Sequence, residues 1–361
     1  MKRYLILLAG LVMACQSNRP TLLKESEFGG ELYTLKSEGV VAQVTPFGAR
    51  VVTLFTQDKE GQWTDIVAGH NTLAAYEEPV GERFFGATVG PVANRIGNAS
   101  FQIEWESWHT DVNDHGVNTL HGGSKGFDMR PWKVESATPT SLTLSLECPN
   151  GQEGFPGNRL ITLTYSLEGS DFKVDISGTS TKVTPMNIAH HPFFCLSGEG
   201  EGSVEDYIVT IAASAYTPID SLSIPTGEIA PVEGTPFDFR TPHTLGERIN
   251  EPDVQLQYGN GYDHNWCLDG EGMREVCRVE DPASGRTVTI LTDQKGLQLY
   301  SGNFFNGSEN GKNGKPLGFR SALVQEAQGW PDAVNHPEFP SIVLFPGEEY
   351  HSSTIFRFGA E

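Results

Sequence analysis

Along most of the chain, apolar and polar residues alternate with a period of two. Phe101, Ile103 and Trp105 are interleaved with Gln102, Glu104 and Glu106. Leu142, Leu144 and Leu146 alternate with Thr143 and Ser145. Ile161, Leu163, Tyr165 and Leu167 alternate with Thr162, Thr164 and Ser166, and Phe172, Val174 and Ile176 with Lys173 and Asp175. Val288 and Ile290, then Leu297 and Leu299, repeat the pattern. Nearer the start, Val40-Val41-Ala42-Gln43-Val44 and Val51-Val52-Thr53-Leu54-Phe55 flank a Pro46-Phe47-Gly48 turn. Successive side chains of a strand point to opposite faces, so each run buries one face. No segment shows a long helical period. The expectation is an all-β fold, a large antiparallel β-sandwich. No internal repeat or composition break divides it.

Five polar segments interrupt the alternation. The last follows the strand Ser321-Ala322-Leu323-Val324-Gln325-Glu326. Behind Glu326 come Pro331, Pro337, Pro340 and Pro346, each fixing φ and removing a donor. That pattern suits a carboxylate held in a set position. Upstream, Gly90-Pro91-Val92-Ala93-Asn94-Arg95-Ile96 offers the forked donors of Asn94 and Arg95, which suit hydroxyl recognition. Asn118 to Asp128 contains His121-Gly122-Gly123, where backbone can approach a ligand closely. Pro185 to Phe194 contains His190 and His191. On a strand these two face opposite sides, so only one can enter a given cleft. An imidazole titrates near neutral pH and suits proton transfer. Gly261 to Trp266 brings Asp263, placed to bind hydroxyls or to orient another side chain. Gly154-Phe155-Pro156-Gly157-Asn158 reads as a rigid structural turn. Taken singly, each segment is also an ordinary turn or strand end.

Composition narrows the partners. The chain has 361 residues with 25 Lys and Arg against 46 Asp and Glu, a net charge of −21. This argues against nucleic acid and anionic membrane surfaces. Forty Gly and 22 Pro suit short strands joined by tight turns. The adjacent histidines lack a complete ligand set, so no metal is expected. An acidic exported chain leaves room for a structural calcium, yet no loop shows the calcium-binding spacing.

The N-terminus reads as an address. Lys2 and Arg3 precede an apolar run, Tyr4 to Met13, that is too short to span a bilayer. It ends in Val12-Met13-Ala14-Cys15, which resembles a bacterial lipobox with Cys15 as the lipidated residue. The expected organisation is a signal peptide over 1–14, Cys15 and a polar tether over 15–27, and one domain over 28–361. The protein would then be exported and lipid-anchored, facing periplasm or cell surface, with no membrane contact beyond the anchor. Cys148, Cys195, Cys267 and Cys277 match neither a metal motif nor a disulfide scaffold and read as unpaired and buried.

In this order the polar segments are specific. From about Phe28 to the end, the chain resembles the aldose 1-epimerase (mutarotase) family. The carrying motifs are Val92 to Ile96, Asn118 to Gly123, Gly154 to Asn158, Asn187 to Phe194, Asp263-His264-Asn265, Gln298 to Asn303 and Glu326 to Phe339. The resemblance implies a galactose mutarotase-like supersandwich with its site in a cleft on one sheet. It implies interconversion of the α and β anomers of free aldohexoses. Glu326 is then the general base and His191 the general acid, with His121 assisting or holding a hydroxyl. Arg95, Asn94, Asp263 and Gln298 would hold the sugar, with Gln298 and Asn303 as candidates for the cleft wall. No cofactor is implied, and a monomer is expected.

The chain departs from the family pattern in places. Pro91 stands where many relatives have Arg, His190 for Asn, Phe193 for Tyr, Cys195 for Asn and Gln325 for Leu. These departures put sugar preference in doubt more than activity. Two other readings fit the residues: a glycosidase pairing Glu326 with Asp263 or Asp332, and a carbohydrate-binding surface lipoprotein on the same scaffold.

Overall fold

The computed structural model describes residues 19–361. Cys15 and the leader therefore lie outside the described residues. All ladders between the named strands are antiparallel. One sheet has nine strands, built around Ser141–Cys148, Arg159–Glu168, Asp171–Ser180, Tyr350–Ala360 and Arg286–Thr292. A second has six, built around Leu323–Gln328, Gly296–Tyr300 and Asp263–Leu268. A four-stranded sheet of residues 33–65 joins them.

The alternation explains how these layers meet. Leu142, Leu144, Leu146, Ile161, Leu163, Tyr165, Phe172, Val174 and Ile176 all enter one core with Trp266, Leu297, Leu299 and Leu323 of the six-stranded sheet. Leu35, Val44, Val51 and Leu54 of the smaller sheet join the same core. The longest described α-helix has six residues, Val254–Gly259. No described helix is long and apolar enough to cross a membrane. Cys148, Cys195, Cys267 and Cys277 are free and buried.

Two expectations are revised locally. The strand carrying Phe101 and Ile103 stops at Ile103, because Glu104 takes a left-handed φ of 57°. Trp105 is then at a hairpin tip and 94% exposed rather than inward. The ordered fold also starts before Phe28: Leu23 exchanges two 2.9 Å hydrogen bonds with the buried Gln43 side chain. The last residues of the expected tether are thus part of the domain.

Candidate active site

One face of the six-stranded sheet builds the floor of a hollow. Glu326 sits opposite Gln298, and Gln298 opposite Asn265. Asp263 lies two residues before Asn265 and so shares its face. The intervening Trp266, Leu297, Leu299, Leu323 and Ala327 belong to the core. A period-two sequence thus collects two carboxylates and two amides on one side of a sheet whose other side is mostly apolar. Gln298 Nε2 donates to Asp263 Oδ1 at 2.7 Å. Asn303 is turned away from the hollow: its Nδ2 donates to the carbonyls of Gly259 and Tyr262, both at 2.9 Å. It holds a turn rather than forming a wall.

A second wall comes from two short paired strands, Arg95–Ile96 and Thr119–Leu120. Asn94 and His121 flank them, both in the left-handed region with φ of 61° and 51°. Such backbone is uncommon outside glycine, though Asn and His tolerate it better than most. Here it is held by reciprocal hydrogen bonds. The His121 N–H donates to the Asn94 carbonyl at 3.0 Å, and the Asn94 N–H donates to His121 Nδ1 at 3.1 Å. A ring nitrogen that accepts carries no proton, so the neutral imidazole has its proton on Nε2. His121 is therefore a fixed donor. At the next position, Gly122, a Cβ would stand 2.1 Å from the Gly90 carbonyl oxygen, so only glycine fits. Arg95 Nε donates to Asp114 Oδ2 at 3.1 Å.

The strand Ala189–His191 pairs with Ala87–Val89. Its two histidines face opposite ways. His190 packs among Tyr165 and Phe356, with ring centroids 5.6 and 6.0 Å away. His191 enters the hollow, where its Nε2 is 3.4 Å from Glu326 Oε1. The His121 ring stands edge-on 5.1 Å away, and the Phe84 ring lies 4.6 Å from His121. Glu326, His191, His121, Asn94, Arg95 and Asp263 all line this hollow. It is a small hollow with a cavity volume of about 110 Å³.

Burial dominates the electrostatics. It pushes the Glu326 carboxyl well above the usual carboxylate range, helped by Asp263 and opposed by Arg95. Burial drives His191 down to about 3 and His121 well below its ordinary value. Asp263 is raised by burial, with Arg95 and Gln298 opposing. Burial therefore favours neutral imidazoles and keeps the acidic proton on Glu326. Burial thus favours the neutral form of His191 before it takes part in any proton transfer. Glu326 Oε2 and His191 Nδ1 are buried without a protein partner, which leaves hydrogen-bonding capacity for a ligand. His121, His191 and Glu326 place donor atoms within 4.8 Å of one another. These donor types suit zinc, but the proton on His121 Nε2 faces such an ion with a hydrogen instead of a lone pair.

Several contributors were not foreseen. Glu82, Phe84, Tyr300 and Phe304 complete the lining. Arg83 forks onto Asp128 at 2.6 and 2.8 Å and also donates to the Gly123 carbonyl at 2.9 Å. This pins the segment carrying Phe84 against the His121 turn. Beneath it, the fully buried Arg50 donates to the carbonyls of Arg83, Phe85 and Asp128 at 2.8–2.9 Å. Glu82 retains some exposure as a residue, yet its enclosed carboxyl is pushed by burial up to about 7. The only signal for this stretch was its clustered charge and aromatics, Glu82-Arg83-Phe84-Phe85.

The departures can also be placed. His190 and Gln325 face the core, and Cys195 lies in a second apolar cluster with Phe193. Phe193 touches the site, with its ring 5.0 Å from His191.

Comparison with known proteins bears on what this geometry serves. The aldose 1-epimerase family model matches residues 31–357. The galactose mutarotase of Rattus norvegicus is 39% identical over 342 residues, covering 94% of this chain and 97% of that protein. The aldose 1-epimerase of Escherichia coli (strain K12) is 32% identical over 336 residues, covering 91% and 95%. Among solved structures, an aldose epimerase homologue from C. elegans superposes with a TM-score of 0.84 at 26% identity, covering 91% of this chain and 99% of that one. The galactose 1-epimerase from Lactobacillus acidophilus NCFM gives 0.78 at 28% identity, covering 91% and 93%. With the family model spanning nearly the whole described domain, this chain belongs to the aldose 1-epimerase family.

Proposed function

We propose that the protein is an aldose 1-epimerase, an isomerase that equilibrates the α and β anomers of free aldohexoses. The observation that carries this is the 3.4 Å approach of His191 Nε2 to Glu326 Oε1 inside a hollow lined by His121, Arg95 and Asp263. Mutarotation opens a hemiacetal and closes it on the other face. The O1 proton must leave while ring oxygen O5 gains one. The C1–O5 bond breaks and C1=O1 forms. Rotation about C1–C2 then presents the opposite face, and the two transfers run in reverse. One acid and one base on neighbouring oxygens suffice, each worth roughly 10²–10⁴ in rate. No metal, nucleotide or covalent intermediate is required.

The pair holds one proton in two arrangements. Burial alone favours a neutral carboxyl beside a neutral imidazole. A sugar O1–H donating to Glu326, together with the nearby Arg95 charge, favours the carboxylate. The proton then resides on His191, aimed at O5. His121, a donor through Nε2, holds a sugar oxygen, Arg95, Asn94 and Asp263 orient the remaining hydroxyls, and Gln298 holds the Asp263 carboxylate through its 2.7 Å hydrogen bond. The deciding experiment is polarimetry on freshly dissolved α-galactose and α-glucose with wild type and Glu326→Gln. Acceleration that disappears in the variant supports the reading, and equal acceleration by both proteins rules it out.

The leader pattern supports export and lipid attachment at Cys15. Radiolabelled fatty acid should enter the wild-type precursor and be absent from Cys15→Ser. A net charge of −21 works against self-association and supports a monomer, which a mass measurement in solution will test.

A further inference from the structure

Asn187 is buried and does not line the hollow, yet it bonds to the segments on either side of the site. Its backbone holds the stretch leading to Asn94 and Arg95. The Asn187 N–H donates to the Pro91 carbonyl at 2.8 Å, and the Ala93 N–H donates to the Asn187 carbonyl at 2.6 Å. Its side chain holds the end of the Glu326 strand. The Gly329 N–H donates to Asn187 Oδ1 at 2.7 Å, and Nδ2 donates back to the Gly329 carbonyl at 3.2 Å. The carboxamide thus copies a peptide group and makes both bonds of an antiparallel rung.

The place of this rung matters. Further along the same two segments, Phe193 pairs with Val324 and Phe194 with Leu323. Extending that register by two residues sets His191 opposite Glu326. There the ladder is interrupted, because Ala189–His191 pairs with Ala87–Val89 instead. The stretches that carry the two proton-transfer groups are therefore tied by the ladder on one side of the pair and by the Asn187 carboxamide on the other.

Resting on the aldose 1-epimerase reading, we infer that Asn187 is a positioning residue that holds His191 and Glu326 at their 3.4 Å approach. Losing the carboxamide leaves the backbone bonds to Pro91 and Ala93 in place. The Arg95 wall and sugar binding then persist while proton transfer loses its alignment. A misplacement of about 1 Å can cost about 10²-fold in rate.

Asn187→Asp makes the test reversible. A neutral Asp carboxyl accepts from the Gly329 N–H and donates to its carbonyl, as the amide does, whereas a carboxylate cannot donate. The bonded segments, Pro91 to Ala93 and Gly329, carry no charge. Tyr350, whose hydroxyl bonds the neighbouring Ile188 backbone, is pushed up by burial to about 12 and stays neutral. Burial without a nearby cation favours the neutral carboxyl, so its ionisation is delayed to higher pH.

Galactose equilibration is followed by polarimetry from pH 5 to 8, with turnover counted per folded molecule by near-ultraviolet circular dichroism. Asn187→Ala should lose about 10- to 10²-fold in kcat at every pH, with KM within threefold of wild type. Asn187→Asp should approach wild-type kcat at pH 5 and fall toward the alanine value as pH rises. The inference is overturned if Asn187→Ala keeps its kcat, if the loss falls on KM, or if Asn187→Asp gains nothing in acid. Loss of the fold in both variants would also overturn it, since Asn187 would then serve stability. Failure of the wild type to equilibrate galactose would instead remove the aldose 1-epimerase reading, and this inference with it.

Discussion

His191 Nε2 and Glu326 Oε1 stand 3.4 Å apart with neither group paired to a third charged side chain at that distance. Burial raises the carboxyl and lowers the imidazole to about 3. The two effects have opposite sign and one result: the pair keeps a single proton across a wide pH range. A second proton is added only in strong acid, and the shared proton leaves only above the raised Glu326 value. The rate profile should therefore show no acid limb between pH 5 and 7 and should decline on the alkaline side. A loss centred near 6.5 on acidification would show that His191 titrates as an ordinary imidazole.

Removing either partner should cost about 10²–10⁴ in kcat, the usual worth of one positioned proton-transfer group. Glu326→Gln and His191→Asn should each reach this range. The double variant should lose far less than the product of the two, because an acid without its base completes no transfer. Single-variant and double-variant kcat values on galactose supply the check.

Arg95 reaches the hollow while its Nε is engaged by Asp114 Oδ2 at 3.1 Å. Asp114 is also held by His115 Nδ1 at 3.0 Å. Asp114 does not line the hollow, so its effect passes through Arg95. Asp114→Asn should raise KM for galactose by roughly tenfold, about 1.4 kcal/mol, and change kcat by less than threefold. A fall in kcat with KM unchanged would contradict this positioning role.

His190 faces the core, and burial lowers it to about 3. An unfolded chain would bind this proton near 6.5. Between those values the unfolded state holds more protons, so stability rises with pH there and falls as pH drops from 6.5 toward 3. This one group contributes a slope of up to about 1.4 kcal/mol per pH unit. His190→Phe should flatten the acid side of the stability curve by that slope. Denaturant unfolding at pH 7.0, 6.0 and 5.0 gives the comparison.

These cases show what the sequence could reveal. Alternation placed the inward faces of residues 142–176 because each strand is wet on one side and dry on the other. The same rule turned His191 away from His190. It failed at Trp105, where a left-handed Glu104 ended the strand. The family motifs named Glu326, His191, His121, Arg95 and Asp263, and the fold brings all five to one hollow. Asp114, Arg83 and Glu82 were not readable, because their partners Arg95, Asp128 and Glu309 are 19, 45 and 227 residues distant in sequence. The state of the shared proton was also out of reach, since it follows from burial rather than from residue type.

Gln325 gives the last prediction. It precedes Glu326 on the same strand, so it points to the core when Glu326 points to the hollow. There it is fully buried, its Nε2 meets only Cys277 Sγ at 3.9 Å, and its Oε1 has no hydrogen-bond partner. A thiol is a weak partner, and an unsatisfied buried amide oxygen costs about 1–3 kcal/mol. Leucine has similar bulk and no polar atoms, and Leu297, Leu299 and Leu323 already line this core. Gln325→Leu should therefore stabilise the fold by about 1–2 kcal/mol. The backbone register that pairs Leu299 with Gln325 and Gln298 with Glu326 does not depend on the amide. Galactose turnover should thus stay within about twofold, below 0.5 kcal/mol. A midpoint shift to higher urea at unchanged slope is the expected result. Destabilisation would mean that the amide serves a partner inside the core that outweighs its desolvation.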